Sequence, residues 1–416
     1  MNKKLLAIAV AGALAAPGVA LAQASSVTIS GIFKVGLENI DYGNPAPGRM
    51  NKSQMNVTDN SSRILFNITE NLGNGLSAVA QLDMRFSPNA AMTAPTSNPI
   101  GSGNTWVGLS SKTLGRLTLG RHDLHYGKAP DDTAAKAGAL HASAVSLFDY
   151  IQTPGGGGAA AANSAIANGS RTQNVVRYDM PTFSGLDMTV AWSGNPVGNI
   201  QGDMTCTAAA TCTTLSPAAG VTTRKGDGWN INPQYTNGPF QIGYSYWKAK
   251  PDLTTGAGVY TTAAFDQRGD SVYGYYKFGG FKIGLGWNKS KLETAANNTI
   301  AGLGSGVKVA ERTAWSIPLS YVTGPHNFVG HYSKAGNSSS SVVGAVTNST
   351  GAKMFAVAYV YDFSARTSAG LTYASIKNDA NANYNFFTGA SFGNVDTTPF
   401  AGENPRLLQG TIRHAF

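Results

Sequence analysis

The sequence predicts an all-β protein, a 16-stranded antiparallel transmembrane β-barrel. Three observations predict it. Segments of about ten residues alternate between apolar and polar side chains, the period of a strand with two different faces. Their connections alternate in turn between tight turns and long polar loops. The composition is that of a turn-rich sheet protein: 50 of 416 residues are glycine, against 31 basic and 22 acidic ones. Charged residues are thus about half the usual ~25%, and Ser, Thr, Asn and Gly carry the polarity. The chain is too apolar and aromatic for disorder. It lacks the Gly-X-Y period of collagen and the Leu, Glu, Lys and Ala runs of helical bundles. Its two cysteines cannot make a disulfide scaffold or a structural zinc site.

The elements follow in chain order. Lys3 and Lys4 precede an apolar run from Leu5 to Leu14, and Ala20-Leu21-Ala22 and Ala22-Gln23-Ala24 are small-x-small cleavage sites. This is a secretory signal peptide over residues 1–22, cut after Ala22 or Ala24. The run is too short for the ~20 residues of a spanning helix. Residues 23–416 then form a single barrel domain. Loss of the two lysines leaves 29 basic against 22 acidic residues, a formal charge of +7.

No later apolar run reaches 18 residues, so the alternation carries the assignment. In Ser26 to Glu38, Val27, Ile29, Phe33, Val35 and Leu37 share one parity, and Thr28, Ser30, Lys34 and Glu38 the other. In Ser62 to Thr69, Ile64, Phe66 and Ile68 oppose Arg63, Asn67 and Thr69. After a turn at 71–75, Leu82, Met84 and Phe86 oppose Gln81, Asp83 and Arg85. The same unit recurs at 103–112, 115–124, 170–180, 185–194, 226–236, 239–250, 268–278, 280–292, 309–322, 326–336, 351–363, 367–378 and 405–416. With 25–40, 60–70 and 75–87, this makes sixteen strands. Long loops are expected at 41–59, 88–102, 125–169, 195–225, 251–267, 293–308, 337–350 and 379–404.

In lipid every backbone amide must be paired internally, so such a sheet closes on itself. Its apolar parity then meets lipid and its polar parity meets water inside. The architecture places the protein in the outer membrane of a Gram-negative bacterium. A secreted β-sandwich shares the alternation but not the rotation of short and long connections. Aromatics near strand ends, such as Trp229, Tyr235, Tyr273 and Tyr359, fit interfacial girdles, though aromatics also favour strands in general.

Several segments resemble the general porins of Gram-negative bacteria, in particular the β-proteobacterial type. They are SSRILFNITENLGNGLSAVAQLD (61–83), WVGLSSKTLGRLTLGR (106–121), NVVRYDMPTFSGLDMTVAWSG (174–194), FAVAYVYDFSARTSAGLTY (355–373) and the ending GTIRHAF. The resemblance implies a water-filled, homotrimeric channel whose third loop folds inward. Residues 125–169, the longest connection, stand where that loop belongs. Asp131-Asp132-Thr133 followed by AAKAGALHA reads as a cap and short helix. Asp131, Asp132 and Asp149 are the acidic groups this loop offers to a constriction, diluted by Lys128, Lys136, His125 and His141. The family's Pro-Glu-Phe-Gly element is absent. Opposite them the resemblance places a basic wall of Arg63, Arg171 and Arg177, to which Lys34 adds by its inward parity. Gly103 stands where many relatives carry an arginine. Arg121 shares the parity of Leu117 and Leu119, so either a bulge turns it inward or it sits at a subunit contact. In the family a terminal aromatic, here Phe416, serves as an assembly signal read by the outer-membrane assembly machinery.

Other chemistry finds little support. Gly389 to Gly393 spells G-x-S-x-G, but in a polar loop rather than a strand-to-helix elbow. Gly73-Asn74-Gly75 joins two strands and opens no helix. His122 and His125 beside Asp123 are the only metal-like grouping. Cys206 and Cys212, in one loop of an oxidised compartment, read as a local disulfide. The basic charge comes without a basic run or nucleic-acid motif. The expected function is passive diffusion of small hydrophilic solutes and ions, with anions preferred and with no cofactor, metal, enzyme activity or nucleic-acid partner. The other readings are a substrate-selective porin of the same fold, an outer-membrane lipolytic enzyme and the secreted sandwich.

Overall fold

The computed structural model describes residues 25–49, 52–88, 100–125, 136–153, 162–165, 169–194, 196, 226–250, 265–294, 306–387 and 399–416. The signal peptide, Asp131, Asp132, Cys206, Cys212 and the 389–393 motif lie outside these residues. The first strands are β1 (Ser26–Asp41), β2 (Ser53–Asp59), β3 (Arg63–Gly73), β4 (Leu76–Arg85), β5 (Trp106–Ser111) and β6 (Gly115–His122). A 3₁₀ turn at Leu140–Ala142, helix α1 (Val145–Phe148) and the separate hairpin of β7 (Tyr150–Thr153) and β8 (Ala162–Ala165) follow. Then come β9 (Thr172–Asp179), β10 (Leu186–Ser193), β11 (Asp227–Asn237), β12 (Phe240–Lys250), β13 (Phe265–Phe278) and β14 (Phe281–Thr294). The last are β15 (Lys308–Thr323), β16 (His326–Ala335), β17 (Ala352–Asp362), β18 (Thr367–Asn378) and β19 (Arg406–Ala415).

Every barrel strand pairs antiparallel with its chain neighbour, and β1 closes the ring on β19 through Ile32↔Ala415 to Asp41↔Arg406. The sheet has 17 strands but sixteen barrel positions, because β2 and β3 are two halves of one bent strand against β1. Residues 53–59, expected in a loop, pair with β1 because β1 runs on to Asp41 and its upper half needs a partner. The bend lies at Ser61, whose φ is 77°. The Asp59 carboxylate accepts the Ser61 and Ser62 amides there, both at 2.9 Å.

The outward parity is apolar, as lipid requires. Val27, Ile29, Phe33 and Leu37 of β1 are all exposed. At the tight-turn end the outward rings touch in series. Phe278 stacks on Phe281 at 5.3 Å, Phe281 on Tyr321 at 4.3 Å, and Phe328 meets Tyr359 at 5.1 Å. This series is an aromatic girdle.

The inward parity departs from the expected polar face on one wall. Along β17, Ala352, Met354, Ala356, Ala358 and Val360 point inward and are buried. Ala352, Met354 and Ala356, with Ala314, Ala335 and Ala374, form one apolar cluster with Leu147 and Phe148. The two faces of β17 are both apolar because one meets lipid and the other meets the third loop. Burial of Leu147 and Phe148 contributes roughly 1.5–3 kcal/mol each.

Candidate functional site

The lumen holds two structures that bear on passage through it: the inward-folded third loop and a cluster of charges on or beside β1, β2, β3, β4, β6, β9 and β19. The loop is held to the wall by polar bonds as well as by the apolar cluster. Arg312 of β15, 2% exposed, donates from Nη2 to the carbonyls of Phe148 and Tyr150 at 2.6 Å each. Its Nε donates to Tyr150 at 2.9 Å and its Nη1 to Asn288 at 3.0 Å. His141 of the loop bonds the buried Glu38 of β1 at 2.7 Å, and Gln409 donates to the same carboxylate oxygen. His331 Nε2 meets the Ala142 carbonyl at 2.9 Å. The amides of Ala139 and Leu140 go to Thr372 and Asn60.

These bonds explain why, among the described residues 136–142, the expected short helix does not form. Lys136 takes a left-handed φ of 42°, the amides that would build a helix are given to the barrel wall, and only the 3₁₀ turn and α1 form. Gly370 admits the loop here: a Cβ on it would lie 2.5 Å from the Ala137 carbonyl oxygen. Asp149 closes α1 and is 8% exposed, with Arg312 as a neighbouring cation.

Against this loop stands the charged cluster. Lys34 points inward opposite Arg413, and Arg413, Arg63 and Asp59 are the charges around it. Arg63 faces Arg85 across the β3–β4 pair, with Asp83, Asp123 and Arg413 nearby. Arg85 grips Asp83 bidentately at 2.8 and 2.9 Å and also donates to Ser61. The β6–β9 register shifts between Gly120 and His122, with the extra residue on β9. Arg121 lies beside Arg171 and Asp123, and its guanidinium donates to the Ser102 carbonyl at 3.1 Å. Arg171 sits in a left-handed turn, φ 46°, and its amide donates to Asp123 at 2.7 Å. Six cations (Lys34, Arg63, Arg85, Arg121, Arg171, Arg413) therefore face three carboxylates (Asp59, Asp83, Asp123), a formal excess of three. Arg63 Nε has no hydrogen-bond partner among the described residues.

Of the residues singled out in the sequence, Lys34, Arg63 and Arg171 come together here. Arg177 does not. It binds Asp179 at 2.7 Å, which Arg116 also binds at 2.9 Å, in a separate site toward the tight-turn end. The parity that joined Arg171 to Arg177 is broken at Asn174, φ 53°, where Gln173 and Asn174 of β9 together oppose Arg121 of β6. His122 stacks on Trp106, whereas His125 bonds Ser245 at 2.9 Å, so the two do not converge. Sequence reasoning missed Arg312, Arg413 and the Arg85–Asp83 pair as parts of the site. Arg413 was legible, since its parity is opposite to that of Leu408 and Ile412. Arg312 was not, because nothing local shows a partner 160 residues away.

Comparison with known proteins agrees with this architecture. The family model of Gram-negative porins matches residues 7–381. An outer membrane porin protein of Bordetella pertussis is 30% identical over 208 residues, 46% of this chain and 48% of that protein, so the match spans about half its length. A monosaccharide porin of a Halomonas species is 25% identical over 313 residues, 73% of this chain and 75% of that protein. The solved anion-selective porin from Comamonas acidovorans superposes with a TM-score of 0.67 at 18% identity, covering 94% of this chain and all of that one.

Proposed function

This chain belongs to the Gram-negative porin family, and we propose that it forms a homotrimeric, permanently wet channel in the outer membrane for passive diffusion of small hydrophilic solutes, with anions preferred. The observation that carries the preference is the cationic excess of three around Lys34, Arg63 and Arg171. Rings of fixed charge select ions of the opposite sign, and the low-dielectric barrel wall focuses their field into the lumen. Arg85 is neutralised by Asp83, whereas Arg63 has Arg85 and Arg413 as well as Asp83 and Asp123 around it and adds to the positive field of the wall. The described part of the third loop brings one carboxylate, Asp149, and that one is buried. Asp131 and Asp132 belong to the same proposal as the acidic counter-wall. Arg177 belongs to it only as part of the second charged site with Arg116 and Asp179. The channel needs no cofactor and transforms no substrate.

The test is a single-channel recording in planar lipid under a salt gradient. The reversal potential should have the sign of anion preference. A zero or cation-preferring potential rejects the assignment. The second reading, a solute-selective porin, is favoured by the likeness to a monosaccharide porin. Saturable block of the current by one sugar class would establish it.

A further inference from the structure

The last long loop also enters the barrel, over Asn381 to Phe387. This stretch has no regular structure, but its burial alternates. Ala382 and Tyr384 are 0% exposed and Phe386 2%, whereas Asn381, Asn383 and Asn385 are half-buried. Such alternation marks a segment with one dry and one wet side.

The dry side packs on the third loop. Ala382, Tyr384 and Phe386 share one buried cluster with Leu147 and Phe148 of that loop and with the inward-facing Ile376 of β18. Two backbone amides reach across as well. That of Phe387 donates to Ser146 Oγ at 2.9 Å, and that of Asn383 to Gln152 Oε1 at 3.3 Å. Ser146 and Gln152 are both buried, so these bonds form away from water. Tyr384 lies beside Arg312, the anchor of the third loop. The segment is itself fixed at its root. Asn378 donates from Nδ2 to the carbonyls of Tyr384 and Glu403 at 3.0 and 2.7 Å, and its Oδ1 accepts the Tyr384 amide at 2.9 Å. The Asn381 amide donates to the Ser349 carbonyl and the Gly402 amide to that of Ala382, both at 2.8 Å.

We propose that the last long loop is a second constriction element, with Tyr384 as the positioning residue that clamps the third loop against Arg312 and so sets the width of the channel. Helix α1 has only four residues, too few to hold a helix by its own bonds, so its place is set by what packs on it. The wall supplies Arg312 and the alanines; the last loop supplies the Tyr384 ring and the bond to Ser146. The wet side of the segment brings asparagine amides and no charge. The clamp therefore acts on the size of passing solutes and leaves the sign of their charge to the cluster around Arg63. Its effect on solutes rests on the channel function; its contact with the third loop does not.

The test joins liposome swelling in a graded series of neutral sugars with amide hydrogen exchange of the whole protein in detergent. Tyr384→Ala should shift the size limit to larger sugars and leave the reversal potential at the wild-type value. Tyr384→Phe, which keeps the ring, should swell as wild type does. In wild-type protein the Phe387 amide should be protected as barrel amides are. Ser146→Ala should lower that protection about tenfold, the worth of one hydrogen bond. This variant keeps every apolar contact of the cluster, so it should fold even if Tyr384→Ala does not. A wild-type size limit in folded Tyr384→Ala overturns the proposal, as does a moved reversal potential at an unchanged size limit. A Phe387 amide that exchanges freely in wild-type protein also overturns it, since the last loop would then lie outside the barrel. The exchange arm reads the contact even in a barrel that does not conduct, so failure of the clamp and failure of the channel function are told apart.

Discussion

The ring of Phe416 lies across Gly31. A Cβ on Gly31 would come within 2.4 Å of Phe416 Cζ and 2.7 Å of the Arg63 carbonyl oxygen. The two residues also exchange both backbone hydrogen bonds at 3.1 Å, and Phe33 packs beside the ring at 6.1 Å. The last residue of the chain therefore covers a bare stretch of the first strand, an aromatic filling the gap over a glycine. It also finishes the seam that removes both sheet edges.

Deleting Phe416 should consequently act on assembly and leave conduction alone. The ring's apolar burial is worth roughly 2 kcal/mol, and its loss uncovers the seam while β19 is still pairing. The amount of folded trimer in the outer membrane should fall and periplasmic degradation should rise, read by heat-modifiable electrophoresis of membrane fractions. Unchanged yield together with altered ion selectivity would sink this role.

Removing Arg63 and Arg171 together, as R63S with R171S, should move the reversal potential toward cations. The change lowers the formal excess of the cluster from three to one. The movement should be larger in 0.1 M than in 1 M salt, because the screening length falls from about 10 Å to about 3 Å. A potential that does not move removes both residues from the constriction.

Arg312→Ala should loosen the third loop. Three of the four hydrogen bonds of that guanidinium go to the Phe148 and Tyr150 carbonyls, and a buried group left unpaired costs about 1–3 kcal/mol. The expected reading is larger and noisier single-channel conductance with a normally folded barrel. Arg312→Lys should not restore the quiet state, since an ammonium cannot reproduce the planar fork. Quiet traces of wild-type amplitude from Arg312→Ala would refute the anchor.

The barrel itself was legible because a strand between lipid and water must alternate, and Val27, Ile29, Phe33 and Leu37 show that parity without any partner. The inward placement of Lys34 and Arg63 was legible from their parity. Parity failed at Asn174, where the extra residue of β9 parts Arg171 from Arg177, and at Arg121, which shares the parity of Leu119 yet lies beside Arg171 and Asp123. The anchoring of the third loop was not legible at all. Small inward residues such as Ala352, Ala356 and Ala374 look like weak strand formers until Leu147 and Phe148 are seen lying on them.

Cys206 and Cys212, outside the described residues, are expected to form a local disulfide. Mass spectrometry of an unreduced digest should show the linked peptide, and reduction should leave conductance nearly unchanged. Both thiols free in protein taken from the outer membrane would reject the bridge.

Acid should open a clasp between the first and last long loops. Glu403, 1% exposed, pairs with Arg49 and accepts the amides of Ala46 and Phe400, each at 2.8 Å. The Arg49 guanidinium lies 4.1 Å from the centre of the Tyr42 ring and 4.6 Å from that of Phe400, a cation between two aromatic faces. Burial pushes the Glu403 carboxyl up, but the bonds from Arg49 and the two amides outweigh it and hold the group below its ordinary value. A carboxyl lowered in the folded state stabilises it above the unfolded pKa, about 4.3 for Glu. That contribution is lost as pH falls through the folded value. The clasp should thus be intact at neutral pH and open only in strong acid. Hydrogen exchange of the Ala46 and Phe400 amides, corrected for the intrinsic pH dependence, reports it directly. Glu403→Gln at pH 7 should imitate the acid form, with protection falling about tenfold or more, because hydrogen bonds to a charged group are worth about 1.5–3 kcal/mol. Barrel amides such as that of Lys34 should keep their protection in the same sample. If the two loop amides stay protected in Glu403→Gln, the carboxylate is not what holds the loops together.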